Sequence, residues 1–289
     1  MKHTSTDWTV LKMLTWATSY FKTKGVRNPR LSIEWLLAHV LKKKRLDLYL
    51  IFDRPLSLYE LDSMKPLIKR RANNEPVQYI TEETDFFGCL IKVSPNVLIP
   101  RSETEELVDW ILNKIPTNVP QNVLDIGTGS GCISIALKKN RPDWIISGFD
   151  ISAKAIQIAR YNSKINNTPI HFTIDDIFSP SDHLHSNTFD VIVSNPPYIL
   201  KSEENTLDRE VREYEPSLAL FTSTIGKMYR SIEVFASKSL SEHGLMMLEL
   251  NERFGQQILQ LFSSPTWHAV IKKDSAGKDR FIVVKKLNN

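Results

Sequence analysis

Four residues that follow an apolar run are suited to holding an amino group. Residues 189–194 are typical of a buried strand, and Asn195, Pro196, Pro197 and Tyr198 come directly after them. Two consecutive prolines fix φ and remove two backbone donors, so the carbonyl groups are held rigidly. The Asn195 side-chain oxygen and the Pro196 carbonyl can then both accept from one NH2 group, while Tyr198 offers a flat face to a planar substrate. Positioning and electrostatics would thus orient an amide or aromatic amine nitrogen for alkylation.

A glycine-rich turn provides a second candidate site. Residues 123–126 are typical of a strand, and they run into Gly127-Thr128-Gly129-Ser130-Gly131, after which a helical pattern follows. Glycine lets the backbone approach a ligand closely or adopt positive φ without strain. Open α/β sheets bind ligands at the carboxyl ends of their strands. We therefore predict that these five residues bind a nucleotide-like cofactor.

Two carboxylates narrow the choice of cofactor. The spacing Gly-x-Gly-x-Gly departs from the Gly-x-Gly-x-x-Gly of dinucleotide-binding turns. Asp125, at the junction of strand and turn, would oppose a pyrophosphate but suits a ligand that presents ammonium or hydroxyl groups. Asp150, at the end of the next strand-like run, can accept from both hydroxyls of a ribose. Together these residues favour S-adenosylmethionine over a nicotinamide dinucleotide, which makes methyl transfer to nitrogen the predicted chemistry.

The elements that must position these residues alternate between strand and helix. Helical patterns such as 153–162 and 227–241 separate most of the strand-like runs, which cover residues 123–126, 144–149, 170–174, 189–194, 245–250, 268–271 and 281–284. Such alternation predicts an α/β fold with a doubly wound, parallel, Rossmann-like sheet. The last two runs have no helix between them and are expected to form an antiparallel C-terminal hairpin.

The front of the chain has a different pattern. Residues 8–71 are typical of four or five helices: Ile33, Leu36, Leu37, Val40 and Leu41 follow one helical face, and Ser57 with Glu60 forms a capping-box signature. Trp8, Trp16 and Trp35 are expected in the core of this part rather than on a docking surface. From residue 77 to residue 100 the apolar residues alternate more nearly as in strands. We therefore predict a small all-helical domain over 1–74, a bridging β-hairpin linker over 75–100 and an α/β domain over 101–289.

Composition excludes several classes of protein. The 289 residues are 42% hydrophobic and 24% charged, as in ordinary soluble globular proteins, and apolar runs fall short of a membrane span. The first eight residues have no signal-peptide core, so a cytoplasmic protein is expected. Two cysteines and scattered histidines predict neither a disulfide framework nor a metal site. Residues 1–75 carry 15 Lys and Arg against seven Asp and Glu, which suggests an acidic or nucleic-acid-associated partner.

With these motifs in place, the chain resembles class I methyltransferases, and more narrowly the release factor glutamine methyltransferases (the HemK/PrmC family). The resemblance covers nearly the whole chain. Beyond the turn and the tetrad, it includes residues 30–41, residues 76–80 with 86–88, residues 97–105 and residues 274–280. The tetrad alone is shared with adenine amino-methyltransferases of DNA and RNA. Its combination with residues 101–105 and the helical front is more specific.

The resemblance implies a substrate and further site residues. The family methylates the side-chain amide of the glutamine in the Gly-Gly-Gln motif of peptide chain release factors. It implies that Asn195 touches both cofactor and substrate, that Pro196, Pro197 and Tyr198 hold the glutamine, and that Asp176 and Ile177 lie beside the adenine. It also implies a monomer whose partners are release factors rather than membranes or nucleic acids.

Three alternatives remain open at this point. An adenine amino-methyltransferase would use the basic front as a nucleic-acid footprint, although no aromatic-and-basic platform or groove-reading motif is evident. A non-catalytic protein could bind S-adenosylmethionine or a release factor without transferring methyl. A dehydrogenase is a more distant reading. Arg101 and Glu103 also have two readings, as substrate contacts or as members of an interdomain salt bridge.

Overall fold

The computed structural model describes residues 7–287. The first six residues, on which part of the argument against a signal peptide depends, and residues 288–289 lie outside the described part. The chain forms two compact units: the described residues up to Glu82 together with Asp208–Tyr214, and residues 83–207 together with the remainder from Glu215. No helix among the described residues is both long enough and apolar enough to cross a bilayer.

The helices and strands are numbered in chain order. The helices are α1 (Val10–Thr23), α2 (Pro29–Leu41), α3 (Leu58–Ala72), α4 (Val77–Thr81), α5 (Ser102–Lys114), α6 (Cys132–Asn140), α7 (Ala153–Ile165), α8 (Asp182–His185), α9 (Arg209–Tyr214), α10 (Ser217–Leu220), α11 (Ile225–Ser239) and α12 (Gly255–Gln260). The strands are β1 (Glu83–Phe86), β2 (Cys89–Lys92), β3 (Asn122–Ile126), β4 (Ile145–Asp150), β5 (His171–Ile174), β6 (Phe189–Ser194), β7 (Ile199–Leu200), β8 (Phe221–Thr222), β9 (Leu240–Glu249), β10 (Trp267–Lys273) and β11 (Asp279–Lys286). Two 3-10 helices, Arg45–Leu50 and Lys201–Thr206, complete the set.

The first unit has a helical core, as predicted. Ile33, Leu36 and Leu37 of α2 are fully buried against α1 and α3. The predicted capping box begins α3: the Glu60 N–H donates to Ser57 Oγ at 3.2 Å, and the Ser57 N–H donates to Glu60 Oε2 at 2.8 Å. These two bonds satisfy amide groups that have no partner within the helix.

Two of the three tryptophans are not in this core. Trp16 and Trp35 are 46% and 44% exposed, so the expectation that they are core residues was wrong. The buried stripe of α1 follows Val10, Leu14, Ala17 and Phe21, and Trp16 lies off that stripe. It stacks instead on Tyr20, with the ring centroids 5.5 Å apart. The sequence pattern therefore located the helix but not the direction of its largest side chain.

A segment from late in the chain, Asp208–Tyr214, belongs to the helical unit. The buried guanidinium of Arg71 binds the Glu210 carboxylate at 2.8 Å and also donates to the Glu75 carbonyl at 2.8 Å. The Tyr214 hydroxyl donates to the Asn73 carbonyl at 2.9 Å. The end of α3 thus holds both ends of the short helix α9.

The predicted linker hairpin is shorter than its sequence pattern. Strands β1 and β2 pair antiparallel, but Val77–Thr81 forms the helix α4 instead of continuing a strand. Pro76, directly before α4, has a φ of −54°, and the Thr81 hydroxyl donates to the Val77 carbonyl at 3.0 Å. Pro76 is the N-cap residue of α4, and because its ring fixes φ and it has no N–H to donate to a strand ladder, the chain begins a helix after it despite the weak alternation of apolar residues.

The second unit contains a seven-stranded mixed sheet. Its strand order is β10-β11-β9-β6-β3-β4-β5, with β3, β4, β5, β6 and β9 parallel to one another. Strands β10 and β11 are antiparallel and form the predicted C-terminal hairpin. Each strand-like run that was predicted for the sheet forms a strand. One boundary differs: α11 ends at Ser239, two residues before the expected helix end at residue 241, and β9 begins directly after it. The carboxyl ends of β3, β4 and β6 therefore lie side by side.

Candidate functional site

The turn after β3 has the left-handed backbone that glycine favours. Gly127, Gly129 and Gly131 have φ of +69°, +54° and +80°. A Cβ on Gly131 would lie 3.1 Å from the Cβ of Ala159, so this glycine lets α7 pack closely. A Cβ on Gly127 would meet nothing within 4 Å, because that side of the turn opens into a cavity.

The cavity, of about 290 Å³, lies at the carboxyl ends of the central strands. Ten of the predicted site residues line it: Gly127, Thr128, Gly129, Ser130, Asp150, Asp176, Ile177, Asn195, Pro196 and Pro197. Asp125, Gly131 and Tyr198 are not among its lining residues. The structure thus brings together the glycine turn, the end of β4 and the start of the Asn-Pro-Pro-Tyr segment in one place.

Asp125 lies beneath the turn rather than on the cavity surface. It is buried, and its Oδ2 accepts from the hydroxyls of Thr128 at 2.6 Å and Ser134 at 2.7 Å. Its Oδ1 is buried without a hydrogen-bond partner among the described residues. Burial raises the pKa of Asp125 from 3.8 to about 6, although the two hydroxyls oppose that shift. An unsatisfied buried carboxylate oxygen is unfavourable until a donor, such as an ammonium group or a water, reaches it.

Asp150 is the last residue of β4 and holds the turn from the other side. Its Oδ2 accepts from the Gly129 N–H and its Oδ1 from the Ser152 N–H, both at 2.9 Å. Burial raises its pKa, while the two amides favour the ionised form. The carboxylate is therefore fixed in position at the cavity wall.

The loop after β5 supplies another wall. The Phe178 N–H donates to Asp176 Oδ1 at 2.9 Å, and the Ser181 hydroxyl donates to Asp175 Oδ2 at 2.6 Å. These bonds fix the backbone on both sides of Ile177, whose side chain is nearly buried at the cavity wall. The loop thus presents carboxylates beside an apolar surface.

The Asn-Pro-Pro-Tyr segment is held by two residues, Thr104 and Glu249, to which the sequence patterns assigned no role. Asn195 Nδ2 donates to Thr104 Oγ1 at 3.1 Å, and the Thr104 hydroxyl donates to Glu249 Oε2 at 2.7 Å. The Tyr198 hydroxyl donates to the other oxygen, Glu249 Oε1, at 2.9 Å. Burial raises the pKa of Glu249 and that of Tyr198. One signal was visible: Glu249 is a carboxylate inside the apolar run 245–250.

Arg101 also lines the cavity, and its partner is buried. Its guanidinium binds the Glu215 carboxylate, whose Oε2 accepts from the Ile99 N–H at 3.2 Å. The neighbouring Glu103 accepts from the Ser102 hydroxyl at 3.0 Å. Both partners of the Arg101 ion pair belong to the second unit.

The charge of the lining favours a cationic ligand. Asp150, Asp175 and Asp176 contribute three carboxylates, and Arg101, the basic side chain of the lining, is paired with Glu215. Most of the remaining wall is apolar. A ligand with positive charge, hydroxyl groups and a flat apolar ring fits this combination better than a pyrophosphate does.

Comparisons with known proteins agree with this fold. The family model described as the PrmC N-terminal domain matches residues 12–81, and the one described as the methyltransferase small domain matches residues 104–213. The release factor glutamine methyltransferase of Geobacter sulfurreducens is 39% identical over 95% of this chain and 96% of its own length. That of Leptospira interrogans is 36% identical over 98% and 99%. A crystal structure of a methyltransferase from Pyrococcus furiosus, 18% identical, covers 71% of this chain and 91% of its own with a TM-score of 0.52, so it shares the fold.

Fold and site together define a methyltransferase that uses S-adenosylmethionine. The residues fit that cofactor on two observations: the open side of Gly127 in an acidic cavity, and the unpartnered Oδ1 of Asp125 beneath the same turn. The chain belongs to the release factor glutamine methyltransferase family.

Proposed function

We propose that this enzyme transfers a methyl group from S-adenosylmethionine to the side-chain amide nitrogen of the glutamine in the Gly-Gly-Gln motif of peptide chain release factors. The observation that carries the proposal is the position of Asn195 and Pro196, which lie at the cavity wall beside the glycine turn. The names of full-length relatives support the substrate.

The residues of this chain act mainly by holding the nucleophile. The lone pair of an amide nitrogen is delocalised, so the nitrogen attacks slowly unless it is held in line with the electrophile. Asn195 and the Pro196 carbonyl each accept one N–H of the glutamine amide and offset the positive charge that develops on its nitrogen. Bound S-adenosylmethionine supplies an electrophilic methyl group. The methylated nitrogen then loses a proton readily, so no strong general base is required.

The remaining site residues bind the cofactor or support the tetrad. In this proposal Gly127, Thr128, Gly129, Ser130 and Gly131 form the turn over which the cofactor lies. Asp150 accepts from the ribose hydroxyls, and Asp125 compensates the ammonium group directly or through water.

Two residues flank the adenine in this proposal. Asp176 accepts from it, and Ile177 covers one face of the ring. Pro197 and Tyr198 keep the glutamine-binding backbone rigid; Tyr198 does so through its hydroxyl, which is bound to Glu249.

The setting of the enzyme follows from this substrate. Release factors act in translation, so we propose a cytoplasmic enzyme. We also propose that the enzyme works as a monomer. In this proposal residues 1–74 recognise the substrate, residues 75–100 link the two domains, and residues 101–289 carry out methyl transfer. No nucleic acid is needed as a substrate.

Methyl transfer from labelled S-adenosylmethionine tests the proposal. The acceptor is a purified release factor, beside a control in which alanine replaces the glutamine of the Gly-Gly-Gln motif. Label on the first and none on the control is the expected result. Label on neither, with cofactor binding intact, overturns the proposed substrate; label on DNA or RNA would instead support an adenine amino-methyltransferase.

A further inference from the structure

A buried carboxylate is connected to the proposed substrate-binding amide through a single hydroxyl. Glu249 is almost fully buried at the end of β9, and Thr104, also buried, lies on the first turn of α5. The Thr104 hydroxyl donates to Glu249 Oε2 at 2.7 Å, and Asn195 Nδ2 donates to Thr104 Oγ1 at 3.1 Å. The three residues are far apart in sequence, so only the fold brings them together.

The direction of these hydrogen bonds is set by the carboxylate. Both oxygens of Glu249 accept, one from the Thr104 hydroxyl and the other from the Tyr198 hydroxyl, and a threonine hydroxyl has only one proton to donate. Because that proton points to Glu249, the Thr104 oxygen can only accept from Asn195. The group of Asn195 that faces Thr104 must therefore be its NH2, and its Oδ1 is left for another donor.

We propose that Thr104 and Glu249 are positioning residues that keep the Asn195 amide in the one orientation in which its oxygen accepts from the substrate. This inference rests on the proposed function. With the amide reversed, an NH2 group would face the NH2 group of the glutamine, and neither could accept. Tyr198 and Tyr229 hold Glu249 in place, since the Tyr198 hydroxyl donates to its Oε1 at 2.9 Å and the Tyr229 hydroxyl donates to its carbonyl at 2.8 Å.

Substitutions of Thr104 test the hydroxyl. Thr104→Val keeps the shape and removes the acceptor, so we expect kcat to fall about 10- to 100-fold. The Kd of S-adenosylmethionine and the KM of the release factor should each change less than about threefold. Thr104→Ser keeps the hydroxyl and should restore most of the lost kcat. Equal kcat values for the valine and serine variants would overturn the proposal.

A paired exchange tests the direction of the bonds and does not depend on the valine variant folding. In Asn195→Asp, a carboxylate oxygen faces a Thr104 oxygen whose proton is already donated to Glu249, so kcat should fall steeply. Adding Glu249→Gln lets the new amide donate to Thr104, whose proton can then point to residue 195. The double variant should recover at least about tenfold in kcat over Asn195→Asp. If the kcat of the double variant is instead lowered by the product of the two single-variant effects, the proposal is contradicted.

One readout does not require methyl transfer to a release factor. The side-chain 15NH2 signals of Asn195, assigned by their loss in Asn195→Asp, should shift in Thr104→Val and return toward the wild-type position in Thr104→Ser. If the wild-type enzyme methylates no release factor while these signals change as expected, the proposed substrate is contradicted but the orientation of Asn195 by Thr104 is supported. If the Asn195 side-chain signals do not change in Thr104→Val, the proposed positioning of Asn195 by Thr104 is overturned, whatever the substrate is.

Discussion

The guanidinium of Arg101 binds the carboxylate of Glu215, although 114 residues separate them. Arg101 lines the cavity, Glu215 is buried, and both belong to the second unit. From the sequence, Arg101 was expected either to contact the substrate or to form an interdomain salt bridge. The ion pair lies within one unit, so it is not an interdomain salt bridge, and the same Glu215 carboxylate also accepts from the Ile99 N–H. It thereby fixes the loop that precedes α5.

Arg101→Met should destabilise the second unit because it removes the guanidinium that is paired with the buried Glu215 carboxylate. Removing one partner of a buried pair costs about 3–5 kcal/mol, and since Arg101 is one-third exposed we expect roughly 2 kcal/mol in the free energy of unfolding. Urea unfolding measures the change. The matched control is Lys65→Met, which removes a lysine from an exposed ion pair with Asp62 and should cost less than about 1 kcal/mol. Equal free energies of unfolding for the two variants would show that the Arg101–Glu215 ion pair does not stabilise the second unit.

Gly131→Ala should cost more stability than Gly277→Ala, although both glycines have φ of +80°. The backbone strain is then similar, but only at residue 131 would the new Cβ meet neighbours, at 3.1 Å from Ala159 and 3.2 Å from Phe172. Crowding of this kind costs about 1–3 kcal/mol. Thermal unfolding of the two variants isolates that difference. Equal losses would mean that α7 moves aside without strain.

Asp150→Asn should weaken cofactor binding and leave the chemical step largely intact. An amide offers one acceptor where the carboxylate offers two, and the Gly129 and Ser152 amides already compete for it. We expect the Kd of S-adenosylmethionine to rise about tenfold, equivalent to about 1.4 kcal/mol, with kcat at saturating cofactor within a few-fold. Isothermal calorimetry and steady-state rates measure both. Asp143→Asn, at an exposed residue just before β4, is the control and should change neither quantity.

Asn195→Ala should have the opposite effect. It removes one of the two acceptors that orient the amide nitrogen, so kcat should fall about 100-fold or more. The Kd of the cofactor should stay within about threefold, because the glycine turn and Asp150 are unchanged. Single-turnover methylation with saturating cofactor measures the chemical step. Unchanged turnover would refute the proposed function of the tetrad.

Asp125 should make cofactor binding depend on pH. Burial raises its pKa from 3.8 to about 6, so in the free enzyme its favourable contribution to stability is present below pH 3.8 and is lost as the pH rises through about 6. A cationic cofactor favours the ionised form, so its Kd should decrease as the pH rises from 5 to 7.5. Calorimetry at several pH values measures this trend. Asp125→Asn should flatten it, leaving the part due to Asp150, whose pKa is also raised. If Asp125→Asn leaves the pH dependence of the Kd unchanged, groups other than Asp125 cause it.

Local sequence was enough to predict much of the sheet and of the cavity wall. Residues 189–194 form a strand with those bounds, and Asp150 ends β4 as expected, because both depend on short apolar runs and turn residues. Helix α4 was missed because it has only five residues, and in so short a segment a weak alternation of apolar residues resembles the pattern of a strand. The contacts of Glu249 with Thr104 and Tyr198 were missed for a different reason: they join distant parts of the chain that only the completed sheet brings together. The burial of Asp125 could not be predicted either, because the sequence does not show whether a carboxylate at the junction of strand and turn points into the cavity or beneath the turn.

The helical unit is completed by Asp208–Tyr214, so it is not a contiguous piece of the gene. A fragment that stopped at Glu82 would keep Arg71 in the interior and lose its Glu210 counter-charge. Recombination that exchanged only the front of the gene between relatives would therefore give a hybrid with a mismatched interior. An exchange of the front of this unit should therefore include Asp208–Tyr214 as well.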